Sequence, residues 1–218
     1  KKTLILFITG APGLLRLFTI TLMASASGPN VFGEIASDLA IASILSIVCV
    51  IGPSNIMFSI TSRTDRSALI YCIKYLSIST LCLYLCFKMT NQFDFLYDTF
   101  FVIQFILLWG CYHINRTYLI IKKSYITLLC LECSTILIAS GCLFLSITSA
   151  VKLPISSALY APFTLSFIWC ALIFLRKRTP PEKSFRKNIF EYTASNLLTG
   201  GMLFSLPFLI GYFSSIEY

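Results

Sequence analysis

Four polar or flexible positions near the start of the chain lie in an otherwise apolar stretch of the sequence. Arg16 is near the middle of this stretch, and a charge at the centre of a membrane helix costs roughly 2.5–3.5 kcal/mol. An arginine at such a position predicts a binding site for an anionic group, and pairing with a buried acid is the structural alternative. Gly10, Pro12 and Gly13 precede it and predict a helix that bends, because proline removes a backbone hydrogen bond.

Glu132 is the deepest acidic residue of the apolar stretches. It lies about a third of the way along one that begins at Tyr125, and Thr135 and Ala139 share its helical face. We expect it to couple transport to an ion, to pair with Arg16, or to line a cavity. A structural acid near the membrane interface is the alternative.

Three amides lie within or beside interruptions of other apolar stretches. Gln104 lies mid-stretch, Asn55 follows Gly52-Pro53, and Asn196 precedes a Thr-Gly-Gly sequence at 199–201. Transporters place binding sites where membrane helices are broken, so these amides are candidate substrate-binding residues. Hydrogen bonding between helices is the structural alternative.

Glu34 and Asp38 are spaced to lie on one face of a helix. Their position near the start of an apolar stretch predicts a solvated helix end. Binding a cation, or repelling an anionic substrate from the exit, is the functional alternative.

Motifs of known enzymes are missing from the sequence. It has no phosphate-binding glycine loop, no GxSxG and no HExxH. Nine cysteines lie in apolar stretches, and the lone histidine is His113. These cysteines predict apolar packing, and we expect no catalytic residue, no metal and no cofactor.

The amino-acid composition indicates whether water or lipid surrounds the fold. The chain has 218 residues, of which 57% are hydrophobic and 12% charged, with a mean hydropathy of +0.83. Soluble domains carry about 25% charged residues, so this chain lacks the polar side chains to cover a globular surface. A soluble enzyme, a secreted disulfide scaffold and a disordered chain are excluded.

Long apolar stretches predict an all-α, polytopic transmembrane helix bundle, because a span needs about 20 apolar residues. Transmembrane strands would instead alternate in polarity over about 10 residues. We predict about seven spans: Leu4–Ala26, Val31–Phe58, Ala68–Phe87, Phe95–Tyr112, Tyr125–Ala150, Ile155–Leu175 and Ile189–Phe213. Residues 176–188 form the longest polar connector, and it is strongly basic.

Charge places the N-terminus in the cytoplasm. The chain has 17 lysines and arginines. The predicted spans place 14 of them on the same side of the membrane as the N-terminus. The exceptions are Lys88 and Lys152, on the other side, and Arg16, within a span. Cytoplasmic loops carry such an excess. The net charge of +8 therefore needs no nucleic-acid partner.

The first two spans and the turn between them resemble a known family. The turn, Ser27–Gly33, reads SGPNVFG and is similar to a "GP-x-x-F/Y-G" turn of bacterial O-antigen and capsule polysaccharide flippases. These transporters belong to the multidrug/oligosaccharidyl-lipid/polysaccharide exporter superfamily. A long apolar helix, Gly52 and a basic turn with Arg63 and Arg66 follow, as in that family. The span pattern extends the resemblance over nearly all of the chain.

The resemblance implies a fold of two six-helix lobes around a cavity that opens alternately to each side. Residues 1–175 match an N-terminal lobe, 176–188 the linker, and 189–218 the first helix of a truncated second lobe. The implied function is transfer of undecaprenyl-pyrophosphate-linked oligosaccharide across the bacterial inner membrane. The implied partners are this lipid, a glycan polymerase and a chain-length regulator. Arg16 falls where the family often has a basic residue.

Three other functions stay open. A drug or ion antiporter of the same superfamily would use deep acids such as Glu132. An integral-membrane polysaccharide polymerase or ligase usually needs a large hydrophilic loop, and the connector Lys88–Asp94 is short. A membrane scaffold without transport activity is the third.

Overall fold

Helices make up almost all of the structure. The computed structural model describes residues 10–15, 17–21, 24, 29–59, 66–90, 98–148 and 159–176. No strand occurs in these ranges. Residues 10–15 and 17–21 are helical, and six helices follow: α1 (Pro29–Ser46), α2 (Gly52–Ser59), α3 (Arg66–Thr90), α4 (Thr99–Ile121), α5 (Tyr125–Ile147) and α6 (Thr164–Arg176).

Three helical segments are long and apolar enough to cross a membrane. They are Gly33–Asn55, which covers α1 and the start of α2, Ala68–Met89 in α3 and Tyr125–Leu145 in α5. Each lies within or nearly within one predicted span. A shorter apolar helical segment, Ala161–Ile173, lies in the sixth predicted span. The seventh predicted span and the basic linker after Arg176 lie outside the described residues.

The outer faces of α3, α5 and α6 are apolar. Large hydrophobic side chains are exposed along all three helices, which suits contact with lipid and not with water. Examples are Ile78, Leu81, Leu85, Leu137, Phe144, Ile168 and Leu172.

Helix α4 is the centre of the described bundle. It contacts every other helix named above, and many of its side chains are buried, including Val102, Ile106 and Ile114. Helix α4 continues to Ile121, nine residues beyond the predicted end of the fourth span at Tyr112. The last three turns carry His113, Asn115 and Arg116. These polar side chains are tolerated because neighbouring helices surround α4.

A π-helical turn, Ile47–Ile51, separates α1 from α2. The N–H of Gly52 bonds to the carbonyl of Ile47, five residues earlier. Pro53 explains the wider turn, because a proline ring clashes with the carbonyl four residues before it in an α-helix. The thiol of Cys72 donates to the carbonyl of Pro53 at 3.5 Å, which attaches α2 to α3.

Near the middle of α1, Asp38 is fully buried. Its Oδ2 accepts the backbone N–H of Asp98 at 2.8 Å. The carboxylate of Asp98 in turn caps α4 by accepting the N–H groups of Phe100 and Phe101. The prediction of a solvated helix end is therefore wrong for Asp38, although Glu34 is exposed.

Close packing at Gly110 holds α4 against its neighbours. A Cβ atom at Gly110 would lie 2.9 Å from side-chain atoms of Leu76 and Val50. These contacts join α4 to α3 and to the π-helical turn. Gly110 is thus a position at which three elements approach closely.

We expect Gly110→Leu to destabilise the bundle by about 1–3 kcal/mol, because added atoms would overpack this contact. Gly141→Leu is the matched control, since a Cβ at Gly141 meets nothing within 4 Å and leucine is the better helix former. The midpoint of thermal unfolding in detergent, monitored by size-exclusion chromatography, measures the stability of both variants. Equal midpoints for the two variants would contradict the packing described here.

Candidate functional site

A tight turn sets the register between α4 and α5. The N–H of Ser124 bonds to the carbonyl of Leu119, and the N–H of Lys123 to that of Ile120, both at 3.0 Å. Lys123 has a φ of 55°. This is a Schellman motif, the common way to end a helix, although its left-handed position is usually glycine. The two helices consequently run back along each other as a hairpin.

The hairpin brings Tyr112, Arg116 and Glu132 together. Tyr112 Oη donates to Glu132 Oε2 at 2.6 Å. Arg116 Nε donates to Glu132 Oε1 at 2.9 Å. Each carboxylate oxygen of Glu132 therefore accepts one strong hydrogen bond. We call these three residues the α4–α5 charged site.

Burying the two charges of this site costs desolvation free energy. The side chain of Glu132 is 0% exposed, and that of Arg116 is 19% exposed. Removing two charges from water costs several kcal/mol per ion, and only good geometry compensates for it. Glu132 lies about 10 Å along α5, at 1.5 Å per residue. Glu132 and Tyr112 are thus held inside the bundle, and Arg116 reaches towards its surface.

A second polar contact joins α4 to α6. Asn115 Nδ2 donates to the carbonyl of Ser166 at 3.0 Å, and the thiol of Cys170 lies 3.4 Å from Asn115 Oδ1. The hydroxyl of Ser166 is buried and has no hydrogen-bond partner in the described structure. Asn115 is nearly fully buried, so its amide acts as a connection between helices.

Of the predicted site residues, Glu132 has the clearest environment. It is buried with two donors, and Arg116 is its cationic partner. Thr135 and Ala139 on the same helical face are buried as well. Arg16 lies outside the described residues, so its proposed pairing with Glu132 stays a prediction.

Of the predicted amides, Gln104 lies away from the α4–α5 charged site. Gln104 is half-buried on α4, but it lies about 18 Å along the helix from Arg116, at 1.5 Å per residue. Asn55 is half-buried in α2, just after the π-helical turn. Asn196 lies outside the described residues.

The predicted hinge residues form part of a helical segment, residues 10–15. Gly10 and Gly13 are exposed, and a Cβ added to either would meet no atom within 4 Å. Pro12 is half-buried. Bending at these residues stays a prediction, and close helix packing does not explain the glycines.

Tyr112 and Arg116 are the two members of the α4–α5 charged site that the sequence analysis did not single out. It ended the fourth span at Tyr112, which placed Arg116 in a cytoplasmic connector. Their spacing of four residues puts both on one face of a continuous helix. Arg116 and Glu132 are also equally far from Ser124, which is the signal a short helical hairpin would have offered.

The cysteines lie in the helices as free thiols. Cys49, Cys72, Cys111 and Cys170 are buried, whereas two helical pairs, Cys82/Cys86 and Cys130/Cys133, are exposed. Apolar packing thus describes the first group, and the exposed pairs lie on the apolar outer faces. Among the described residues, no three or more His, Cys, Asp or Glu side chains are placed to hold a metal ion.

Comparison of the chain with models of protein families, with curated proteins and with solved structures finds no match. The site must therefore be interpreted from its own geometry.

We expect Arg116→Met to lower the stability of the protein by about 3–5 kcal/mol, because it leaves the carboxylate of Glu132 buried without its cation. Adding Glu132→Leu should recover most of that loss, since a buried ion pair is often replaceable by apolar residues, although the Tyr112 hydroxyl then loses its acceptor. Thermal midpoints in detergent measure the series, with Lys88→Met as a control at an exposed cation. Failure of the second substitution to rescue the first would contradict the pairing.

We expect Lys123→Gly to raise the free energy of unfolding by up to about 1 kcal/mol, because glycine adopts the left-handed conformation without a steric penalty. The matched control is Lys122→Gly, one residue earlier at a φ of −69°, where glycine should be destabilising. Thermal midpoints in detergent measure both variants. If Lys122→Gly stabilised the protein and Lys123→Gly did not, the turn geometry described here would be ruled out.

Proposed function

We propose that the chain is the N-terminal part of a multi-pass membrane transporter, a lipid-linked oligosaccharide flippase. It carries about seven spans, with a six-helix lobe and the first helix of a second lobe. It lies in the bacterial inner membrane with its N-terminus in the cytoplasm. Its cargo is an undecaprenyl-pyrophosphate-linked oligosaccharide of O-antigen or capsule biosynthesis, which it moves by alternating access.

The buried charged site between α4 and α5 is the observation that carries the proposal. Ionisable side chains at membrane depth are rare, and they typically mark substrate or ion pathways. Glu132 has no exposure, and its neighbours in α5 are overwhelmingly apolar.

The nature of the cargo follows from Arg16 and from the sequence resemblance. A pyrophosphate carries several negative charges and needs a fixed cation in a cavity of low dielectric constant. Arg16 is suited to that role because its guanidinium stays charged and donates in a planar fork. Gln104, Asn55 and Asn196 are proposed to contact the sugar. Hydroxyl-rich ligands suit amide side chains, which both donate and accept.

Ion antiport within the same superfamily is the second candidate function. A buried carboxylate such as Glu132 suits proton or cation coupling. Arg116 and Tyr112 already hold both of its oxygens, so an antiporter would have to break these bonds in each cycle. This requirement disfavours ion coupling through Glu132.

We expect the complete coding sequence that contains this chain to restore surface polysaccharide in a bacterial strain that lacks its O-antigen or capsule flippase. Arg16→Ala should reduce the restored polysaccharide at least tenfold without loss of protein, because the pyrophosphate loses its cation. Immunoblots of surface polysaccharide, normalised to membrane protein, measure this effect.

Arg16→Lys, which keeps the charge, and Lys88→Ala, at an exposed outer position, are the controls. Both should retain most of the activity. A coding sequence that restores no polysaccharide but changes polymer length would replace the flippase proposal with the polymerase or ligase alternative. Residues 1–218 alone form a separate arm, which tests whether one lobe transports by itself.

A further inference from the structure

Two adjacent lysines lie in the turn between α4 and α5. Lys122 and Lys123 are both exposed, and neither forms an ion pair with a described residue. The sequence has no acidic residue between Asp98 and Glu132, and Glu132 is buried and bound by Arg116. Within the described part of the chain, the turn is therefore a concentrated positive charge at the end of a membrane helix.

The groups beside these lysines suit a phosphate ester. Lys122 Nζ lies 4.7 Å from the centroid of the Tyr118 ring. This contact orders the lysine side chain, so less conformational entropy is lost when the ammonium binds an anion. The hydroxyls of Ser124 and Thr127 lie 2.9 Å apart at the surface, and hydroxyls can donate to phosphate oxygens. The turn thus combines two cations with two hydroxyl donors.

An exposed apolar stripe on α5 begins one turn after the lysines. Ile126, Cys130, Cys133 and Leu137 are spaced by three or four residues, so they share one helical face. Ile126 and Leu137 are 78% and 71% exposed, and both cysteines are exposed. We call these four residues the α5 stripe. At 1.5 Å per residue it is about 16 Å long, which matches half of a hydrocarbon core of about 30 Å. An acyl chain within one leaflet is therefore long enough to cover it.

We propose that the α4–α5 turn and the α5 stripe bind one anionic phospholipid. Its phosphate contacts Lys122, Lys123 and the two hydroxyls, and one acyl chain lies along the stripe. Attraction to an anionic headgroup strengthens binding about fivefold for each such lysine. A soluble polyanion would contact the lysines and leave the stripe uncovered, so the charge and the apolar surface together select a lipid. This inference depends on the membrane location of the hairpin and not on the identity of the cargo.

Native mass spectrometry of the detergent-solubilised protein, titrated with dioleoyl phosphatidylglycerol, measures the affinity. Replacing both lysines by glutamine (Lys122→Gln with Lys123→Gln) should weaken binding by about tenfold or more, because both cations are lost. Lys122→Arg with Lys123→Arg should retain it, which separates charge from folding. Zwitterionic dioleoyl phosphatidylethanolamine should bind the wild type about tenfold more weakly than phosphatidylglycerol. Glycerophosphoglycerol, the headgroup without acyl chains, should not displace the lipid. Displacement by it would overturn the lipid assignment in favour of a free phosphate ester.

Photocrosslinking in nanodiscs that contain both lipids tests the position of the site. Benzoylphenylalanine replaces Ile126 on the α5 stripe or, as the control, the exposed Ile78 on α3. Adducts at position 126 should be enriched in phosphatidylglycerol, and the double glutamine variant should remove the enrichment, whereas adducts at position 78 should follow the bulk composition. Lys88→Gln, at another exposed lysine, should change neither the affinity nor the enrichment.

Equal enrichment at the two positions would overturn the proposed lipid site, and so would an equal loss of affinity in Lys88→Gln. Either result would leave only a general attraction of a basic protein to anionic lipid. These measurements use no cargo, so their failure is separate from failure of the polysaccharide experiment.

Discussion

The described bundle depends on the need of α4 to keep its polar side chains away from lipid. Asn115, Arg116 and Tyr112 cannot face hydrocarbon without a large desolvation cost. Each donates a hydrogen bond to a neighbouring helix. Tyr112 and Arg116 donate to Glu132 of α5, and Asn115 donates to the carbonyl of Ser166 in α6. The outer helices can then present apolar faces, because the polar groups are concentrated on the helix that they surround.

Hydropathy predicted the helical class and three of the apolar segments, because a span must be long and apolar whatever it packs against. Ala68 and Tyr125 were correctly placed at or near the start of a helix. The same rule did not predict that α4 continues past Tyr112 to Ile121, because burial by protein lets the helix carry polar residues. It also failed at Asp38, where a partner in another helix, invisible in the local sequence, removes the charge from solvent.

The candidate site was predicted in part. Glu132 was identified from its depth alone, since an acid in an apolar stretch is informative without knowledge of its partner. Arg116 could not be assigned to it from composition, because arginines near a helix end are usually cytoplasmic loop residues. Only the register of the α4–α5 turn pairs the two, and that register depends on the unusual backbone of Lys123.

The short turn between α4 and α5 has a consequence for how the chain enters the membrane. Helix α4 is not among the segments apolar enough to span by composition, so on leaving the ribosome it is a poor substrate for insertion by itself. Helix α5 follows after three residues and brings the carboxylate that neutralises Arg116. The two helices should therefore partition into lipid as one unit. Pairing of α4 with α5 would then be an early step of assembly, before α6 has been synthesised.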